Sequence, residues 1–314
     1  DVNMAARRMA GNVIQKCAGK LEPSIKQFLL SSMSGDYKNP PHEISYHGVL
    51  YNVFLYAPQI VSGVVPYLTG ELLSDKLDVR LKAVGLVGSL VSLPGSTKSE
   101  VFKPVFLEFL KRLSDRAAEV RMCVLEHFRT YLLQNSSQSE EAHQIISALS
   151  ERFLDYDENV RKQVVSVVCD VACHSLTSIP MEIVKLLSER LRDKSLLVKK
   201  YTLQRLADIY RASCFIEAIK SDDYGWIVGK VLRCFYDKDF RSDAIELILS
   251  VSLYPPQFSV KERVKRWVRV FSGFEKVEVK ALEKILEQKQ RLQQEMQKFI
   301  SLQQLSQVAP SSSI

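Results

Sequence analysis

The sequence predicts an all-α solenoid of stacked helix pairs. Two observations carry this. First, four stretches share one plan: Leu73–Val91, Leu113–Leu132, Leu154–Ala172 and Leu191–Tyr210. In each, a valine is followed by a basic residue, Arg80, Arg121, Arg161 and Lys199, at a period of about 40 residues, the repeat length of HEAT-type arrays. Second, the apolar register repeats with them. Val79, Val120, Val160 and Val198 precede the basic residue; Val84, Leu125, Val165 and Leu203 follow four later; Val87, Phe128, Val168 and Leu206 seven later; and Val91, Leu132, Ala172 and Tyr210 eleven later. That is one apolar stripe on a 3.6-residue helix, four times over.

The elements follow in order. Residues 2–18 and 21–32 read as an entering hairpin, Gly35–Pro41 as a loop and 42–56 as a helix, so that 1–56 leads into the array. Residues 57–213 hold the four repeats. Their first helices are expected at 58–74, 100–113, 140–154 and 181–192, and their second at 76–92, 117–134, 158–174 and 196–212. Pro66 should bend the first of these, and Leu93-Pro94-Gly95-Ser96 should end a unit. Residues 214–306 read as degenerate helical repeats at 221–235 and 239–251, an amphipathic helix at 259–271 and a long helix from 277 to 305. In the amphipathic helix, Val260, Val264, Trp267, Val268 and Phe271 share a face and Trp267 is expected in the core. In the long helix, Leu282, Ile285, Leu292, Met296 and Phe299 make a heptad pattern broken by Lys289. Residues 307–314 are expected to be a disordered tail.

Asp75, Asp115, Asp155 and Asp193 stand five or six residues before the four basic positions. Aspartate suits a helix N-terminus, where it satisfies free N–H groups. With Arg80, Arg121 and Arg161 these residues are expected to form a structural ladder tying neighbouring units, not a ligand site.

Composition narrows the function. Glycine is scarce, 12 of 314 residues, which argues against nucleotide-cradling loops. The sequence has no phosphate-binding loop, no nucleophile elbow and no zinc-protease motif. The six cysteines are expected to be reduced core or near-core residues, and Cys169, Cys173 and His174 fall short of a four-ligand zinc site. No enzyme, metal or cofactor is expected. No apolar run approaches the ~20 residues needed to cross a bilayer. No signal peptide is read, and the chain, beginning at Asp1, is expected to be a piece of a longer protein. The net charge of +7 permits an acidic partner or nucleic acid. Lys82, Lys162, Lys199, Lys200 and Arg205 on the second helices are the candidates for gripping an acidic peptide. Arg263, Lys265 and Arg266 in helix 259–271 are the candidates for nucleic-acid contact, against the alternative of a solvated basic face.

A resemblance then emerges. The runs APQIVSGVVPYLTGELLSDKLDVRLKAVGLVGSL (57–90), KPVFLEFLKRLSDRAAEVRMCVLEHFRTYLL (103–133), LLSERLRDKSLLVKKYTLQRLADIY (186–210) and ERVKRWVRVFSGFEKVEVKALEKI (262–285) resemble, in the same order, the precocious dissociation of sisters family of cohesin-associated regulators. The resemblance implies a non-enzymatic HEAT scaffold in the nucleus, on chromatin through cohesin, that binds the cohesin kleisin subunit and the wings-apart-like releasing factor. It also implies roles in sister-chromatid cohesion and release and in recombination repair. An Ala-Pro-Asp-Glu run associated with partner binding in animal members is absent from these residues, and divergence from those members suggests a plant or other distant lineage. The alternatives are a HEAT scaffold of another system, such as a phosphatase or vesicle or nuclear transport, and direct DNA binding through helix 259–271.

Overall fold

The computed structural model describes residues 2–34, 45–95, 102–215 and 221–308. Among these it holds sixteen α-helices and no strand, and the fold is an all-α repeat solenoid. Two compact units, Asp1–Leu187 and Ser188–Ile314, make up the chain.

The first unit opens with α1 (Val2–Lys16), α2 (Ala18–Ser34) and α3 (Tyr46–Tyr56). The Tyr56 ring of α3 packs on Gly11 of α1, where a Cβ would meet its outer atoms at 2.3 Å, so the ring occupies the space that a side chain there would need. The helix expected over 58–74 is instead two short ones, α4 (Pro58–Val61) and α5 (Tyr67–Leu72). Pro66 has no N–H to donate and its ring crowds the carbonyl four residues back. The chain therefore turns tightly between them, with the Val64 and Val65 N–H groups donating to Val61 O at 2.8 and 3.0 Å. α6 (Leu77–Ser92) follows. It is closed by Leu93-Pro94-Gly95, in which Gly95 takes φ +77°, a value that suits glycine.

The remaining helices of this unit are α7 (Phe102–Lys111), α8 (Ala118–Gln134), α9 (Glu140–Arg152), α10 (Glu158–His174) and α11 (Met181–Ser188), the last ending at the unit boundary. The loop expected at 35–41, the starts of the helices expected at 42 and 100, and positions 309–314 of the expected tail lie outside the described residues. Second helices pack side by side, α6 on α8 and α8 on α10. The shared stripe is their contact: Val84, Val87, Leu125, Phe128, Val165 and Val168 are all fully buried. Side chains cap the starts of α9 and α10. Ser139 accepts from Ala142 N at 3.1 Å, and Asp157 from Asn159 N and Val160 N at 2.8 and 3.2 Å, satisfying donors that have no partner within the helix.

The second unit contains α12 (Leu196–Ser213), α13 (Trp226–Arg233), α14 (Ser242–Leu247), α15 (Val260–Phe271) and α16 (Lys276–Val308). α14 widens into one π-turn over Ile248–Ser252, so the helix expected over 239–251 starts later, at Ser242, and ends in π geometry. Ser259 and Glu262 form a capping box at the start of α15. Gly229 of α13 lets the N-terminus of α16 close in, because a Cβ there would sit 2.6 Å from the Glu278 carboxylate. That carboxylate accepts from Arg233 Nε at 2.8 Å and from Glu275 N at 2.8 Å. From Leu286 to Gln304, α16 is exposed on every side, and Gln307 and Val308, expected in the tail, are part of the helix.

Candidate partner-binding surface

The ladder is built from buried charges. Arg80 donates through Nε and Nη2 to both oxygens of Asp115 at 3.1 and 3.2 Å. Arg121 donates to Asp155 Oδ1 at 2.8 Å. Each arginine also closes its own unit's turn: Arg80 on Ser74 O and Asp75 O, Arg121 on Asp115 O, and Arg161 on Asp155 O and Tyr156 O. The aspartates do not cap the helix directly. Asp115, Asp155 and Asp193 accept the N–H two residues on, each at 2.9 Å, and so fix the turn that leads into it. One guanidinium thus ties two successive turns, which is why the basic residue must recur with the repeat period.

Three features of the ladder depart from expectation. The Asp75 carboxylate is fully exposed and, among the described residues, is paired only with the exposed Arg116, at 3.5 Å, so it is no rung. Tyr156 is an added member: its ring lies 4.4 Å from the Arg121 guanidinium, its hydroxyl accepts from Arg121 Nη1 at 2.8 Å, and it donates to Arg116 O at 3.0 Å. Lys199, a candidate for gripping a partner, is also committed to the fold. Its ammonium donates to Asp237 Oδ2 at 2.8 Å and Asp239 Oδ2 at 2.7 Å. Asp237 repeats the ladder geometry, accepting from Asp239 N at 2.9 Å. The bond from Lys199 holds its carboxyl below the usual carboxylate range. The array therefore has a further rung where the sequence signature had faded. The signal was Asp237 itself, one slightly longer period, 44 residues, after Asp193. Replacing Lys199 by Met leaves two carboxylates facing each other, and we expect a loss of about 1–2 kcal/mol in the second unit's stability, measured by urea denaturation.

Lys82 and Lys200 are exposed on α6 and α12, and Lys162 is half-buried on α10. Counted from the ladder residue, Lys82 stands second and Lys162 first, about 100° apart around a helix. The intervening unit has Met122 and Cys123 at those positions, so within the first unit the lysines are not one row. The surface between α8 and α10 carries an ion lattice instead, with Arg129 bridging Glu126 at 2.8 Å and Asp170 at 2.7 Å. Arg205 is paired with Asp208 at 2.9 Å.

α15 is rotated relative to expectation. Its inward face is Arg263, Arg266, Trp267 and Val270, spaced i, i+3, i+4 and i+7. Arg263 donates to Phe258 O and Pro256 O, both at 3.1 Å. Arg266 donates to Cys214 O at 2.8 Å and stacks on Phe258 at 5.0 Å. Two of the three candidates for nucleic-acid contact are thus spent on the protein's own backbone, and Lys265 alone is exposed. Trp267 is half-buried against Tyr254, 6.1 Å between ring centroids, while Val260, Val264, Val268 and Phe271 face outward. Cys17 is exposed, unlike the near-core position expected of the cysteines. Among the described residues no cluster of His, Cys, Asp and Glu could hold a metal ion, and no helix is long and apolar enough to cross a membrane.

The family model for sister chromatid cohesion protein PDS5 matches residues 1–313. The chain belongs to the PDS5 family. It is 58% identical over 317 residues to sister chromatid cohesion protein PDS5 homolog A of Arabidopsis thaliana, covering 100% of this chain and 20% of that one. It is 24% identical to Schizosaccharomyces pombe pds5, over 76% of this chain and 21% of that protein, and 24% identical to human PDS5 homolog A, over 81% and 19%. The chain therefore spans about one fifth of the length of these relatives. Its fold is similar to a chain in the solved structure of the Pds5–Scc1 complex, with a TM-score of 0.72 and 16% identity over 86% of this chain and 43% of that one.

Proposed function

We propose that this segment serves, within a longer PDS5 protein, as a non-enzymatic scaffold that regulates cohesin by binding its kleisin subunit. The observation that carries the reading is the family match across residues 1–313. The Pds5 protein of similar fold was solved in complex with Scc1, with implications for cohesin function. The polar groups fit a scaffold: the buried arginines and aspartates are consumed in holding units together, which leaves fixed charges and apolar surface to engage an extended chain. The kleisin docks on the second helices, where Lys82, Lys162 and Lys200 offer cations to an acidic segment. Chromatin reached through cohesin, the wings-apart-like releasing factor, a nuclear location and a part in DNA repair belong to the same reading.

The test is direct binding of a kleisin fragment to the purified chain. Lys82, Lys162 and Lys200 changed together to Glu should weaken it by about tenfold or more, since like charges brought together across an interface cost several kcal/mol. The variant should keep its helical circular dichroism. Unchanged affinity in a folded triple variant removes these lysines from the interface, and no binding by the unaltered chain removes the kleisin reading from this segment.

A further inference from the structure

The stripe that recurs on the second helices also runs along α3. Leu50, Val53 and Ala57 are buried at four, seven and eleven residues after Tyr46, the spacing that follows each ladder residue. Tyr46 therefore holds the ladder position one unit before Arg80. Ser45 stands where a valine precedes the others, which hides the register in the sequence. The Tyr46 hydroxyl donates to Glu71 Oε1, and His47 Nε2 lies 2.9 Å from Glu71 Oε2. Burial, and then the bond to Glu71, raises the Tyr46 hydroxyl above its ordinary value of 10, so it stays a donor. Glu71 lies on α5, so this cluster joins α3 to the next unit.

The joint differs from the others in three ways. A guanidinium has five N–H donors and a hydroxyl has one. Arg80 can therefore hold Asp115 and close its own turn together, whereas Tyr46 gives its single proton to Glu71. The His47 and Glu71 side chains are 15% and 14% exposed, against 4% and 2% for Arg80 and Asp115. The first helix is also in two pieces at this joint. α4 packs on α2 and α3, and α5 packs on α6 and α7, so the turn over 62–66 divides the packing.

We propose that this turn is a hinge and that Glu71 is its latch. Within the first unit, α1–α4 form one body and α5–α11 the other, and Glu71 on the second holds Tyr46 and His47 on the first. Val64 and Val65 of the turn are buried, so the closed form is the populated one and opening is an excursion. In a solenoid each unit contacts its neighbours alone and stability is a sum over joints, so local opening starts at the joint with the weakest tie. The device lets the first helices swing without unmaking the Arg80 and Arg121 rungs. It holds whether or not the kleisin reading does.

Hydrogen exchange read by mass spectrometry on the full-length protein tests this. Peptides from α1–α4 should exchange together, at least about tenfold faster than those from α6, α8 and α10, as expected where a joint lacks a hydrogen bond between charged groups. Glu71→Ala should speed exchange in α1–α4 by about a further tenfold and leave α8 and α10 unchanged. Tyr46→Phe, which keeps the ring and removes the proton donor alone, should speed the same peptides by less. Equal exchange in α1–α4 and α6–α10 overturns the proposal. So does fast exchange confined to α1 and α2, which is local fraying, and so does exchange in α1–α4 that neither variant changes.

Discussion

Arg121→Ala should cost about 3–5 kcal/mol of stability, the largest loss expected from any single ladder residue. The Arg121 and Asp155 side chains are 1% and 0% exposed. Removing the guanidinium leaves a buried carboxylate whose remaining partners among the described residues are Arg152 Nη1 at 3.4 Å and the Asp157 N–H at 2.9 Å, and a buried charge stripped of its close partner is what makes breaking such a pair expensive. The change also removes the side-chain donor to Asp115 O and the donor to the Tyr156 hydroxyl, which keeps its own bond to Arg116 O. Asp155→Asn should fall in the same range, and the double variant should lose less than the sum, because the two groups share one interaction. Arg116→Ala, whose side chain is exposed, should leave the midpoint of urea denaturation within experimental error. A loss below about 1 kcal/mol for Arg121→Ala would mean that the ladder is solvated, and that apolar packing alone joins the units.

Gly88→Leu should cost about 3 kcal/mol, because α6 and α8 meet where Gly88 has no side chain. A Cβ there would lie 2.2 Å from Cγ of His127 and 2.8 Å from its Cβ. Those atoms are at the root of the side chain, so relief requires the helices to move apart, and such overpacking is costly. The ring is fixed by Phe109, 6.3 Å away between centroids, and Ser92 Oγ donates to both Gly88 O and His127 O. Adding His127→Ala to Gly88→Leu should recover part of the loss. The same contact makes the seam sensitive to acid. Burial holds His127 below the ordinary value of 6.5, against a smaller opposing effect of Glu126. The unfolded chain then takes up the proton first as pH falls, so the folded state is favoured above 6.5 and loses this contribution below it. Denaturation midpoints taken from about pH 7 to about pH 5 should fall more steeply for the unaltered chain than for His127→Gln.

What the sequence made legible follows from what repetition constrains. Val84, Leu125, Val165 and their partners recur because each second helix must bury the same stripe against the next. The Asp115 and Asp155 rungs recur because each joins the same two turns. Asp75 misled because α3, the second helix before it, contains no Lys or Arg to supply a cation from that side. Lys199 misled in the opposite sense: its acceptor Asp237 lies beyond the point where the valine-arginine signature ends. In α15, periodicity identified which residues share a face but not which face meets the core. Arg263 and Arg266 turn inward because loop carbonyls at Pro256, Phe258 and Cys214 accept from them, and no pattern in the helix itself records those acceptors.

A cohesin regulator should be found with cohesin. The most direct measurement is affinity purification of the full-length protein from dividing cells, with co-purifying proteins identified by mass spectrometry. Recovery of the cohesin ring subunits, the kleisin among them, is the expected result. Recovery of phosphatase, coat or transport components without cohesin would contradict it, leaving the helical repeat fold in place and the proposed function overturned.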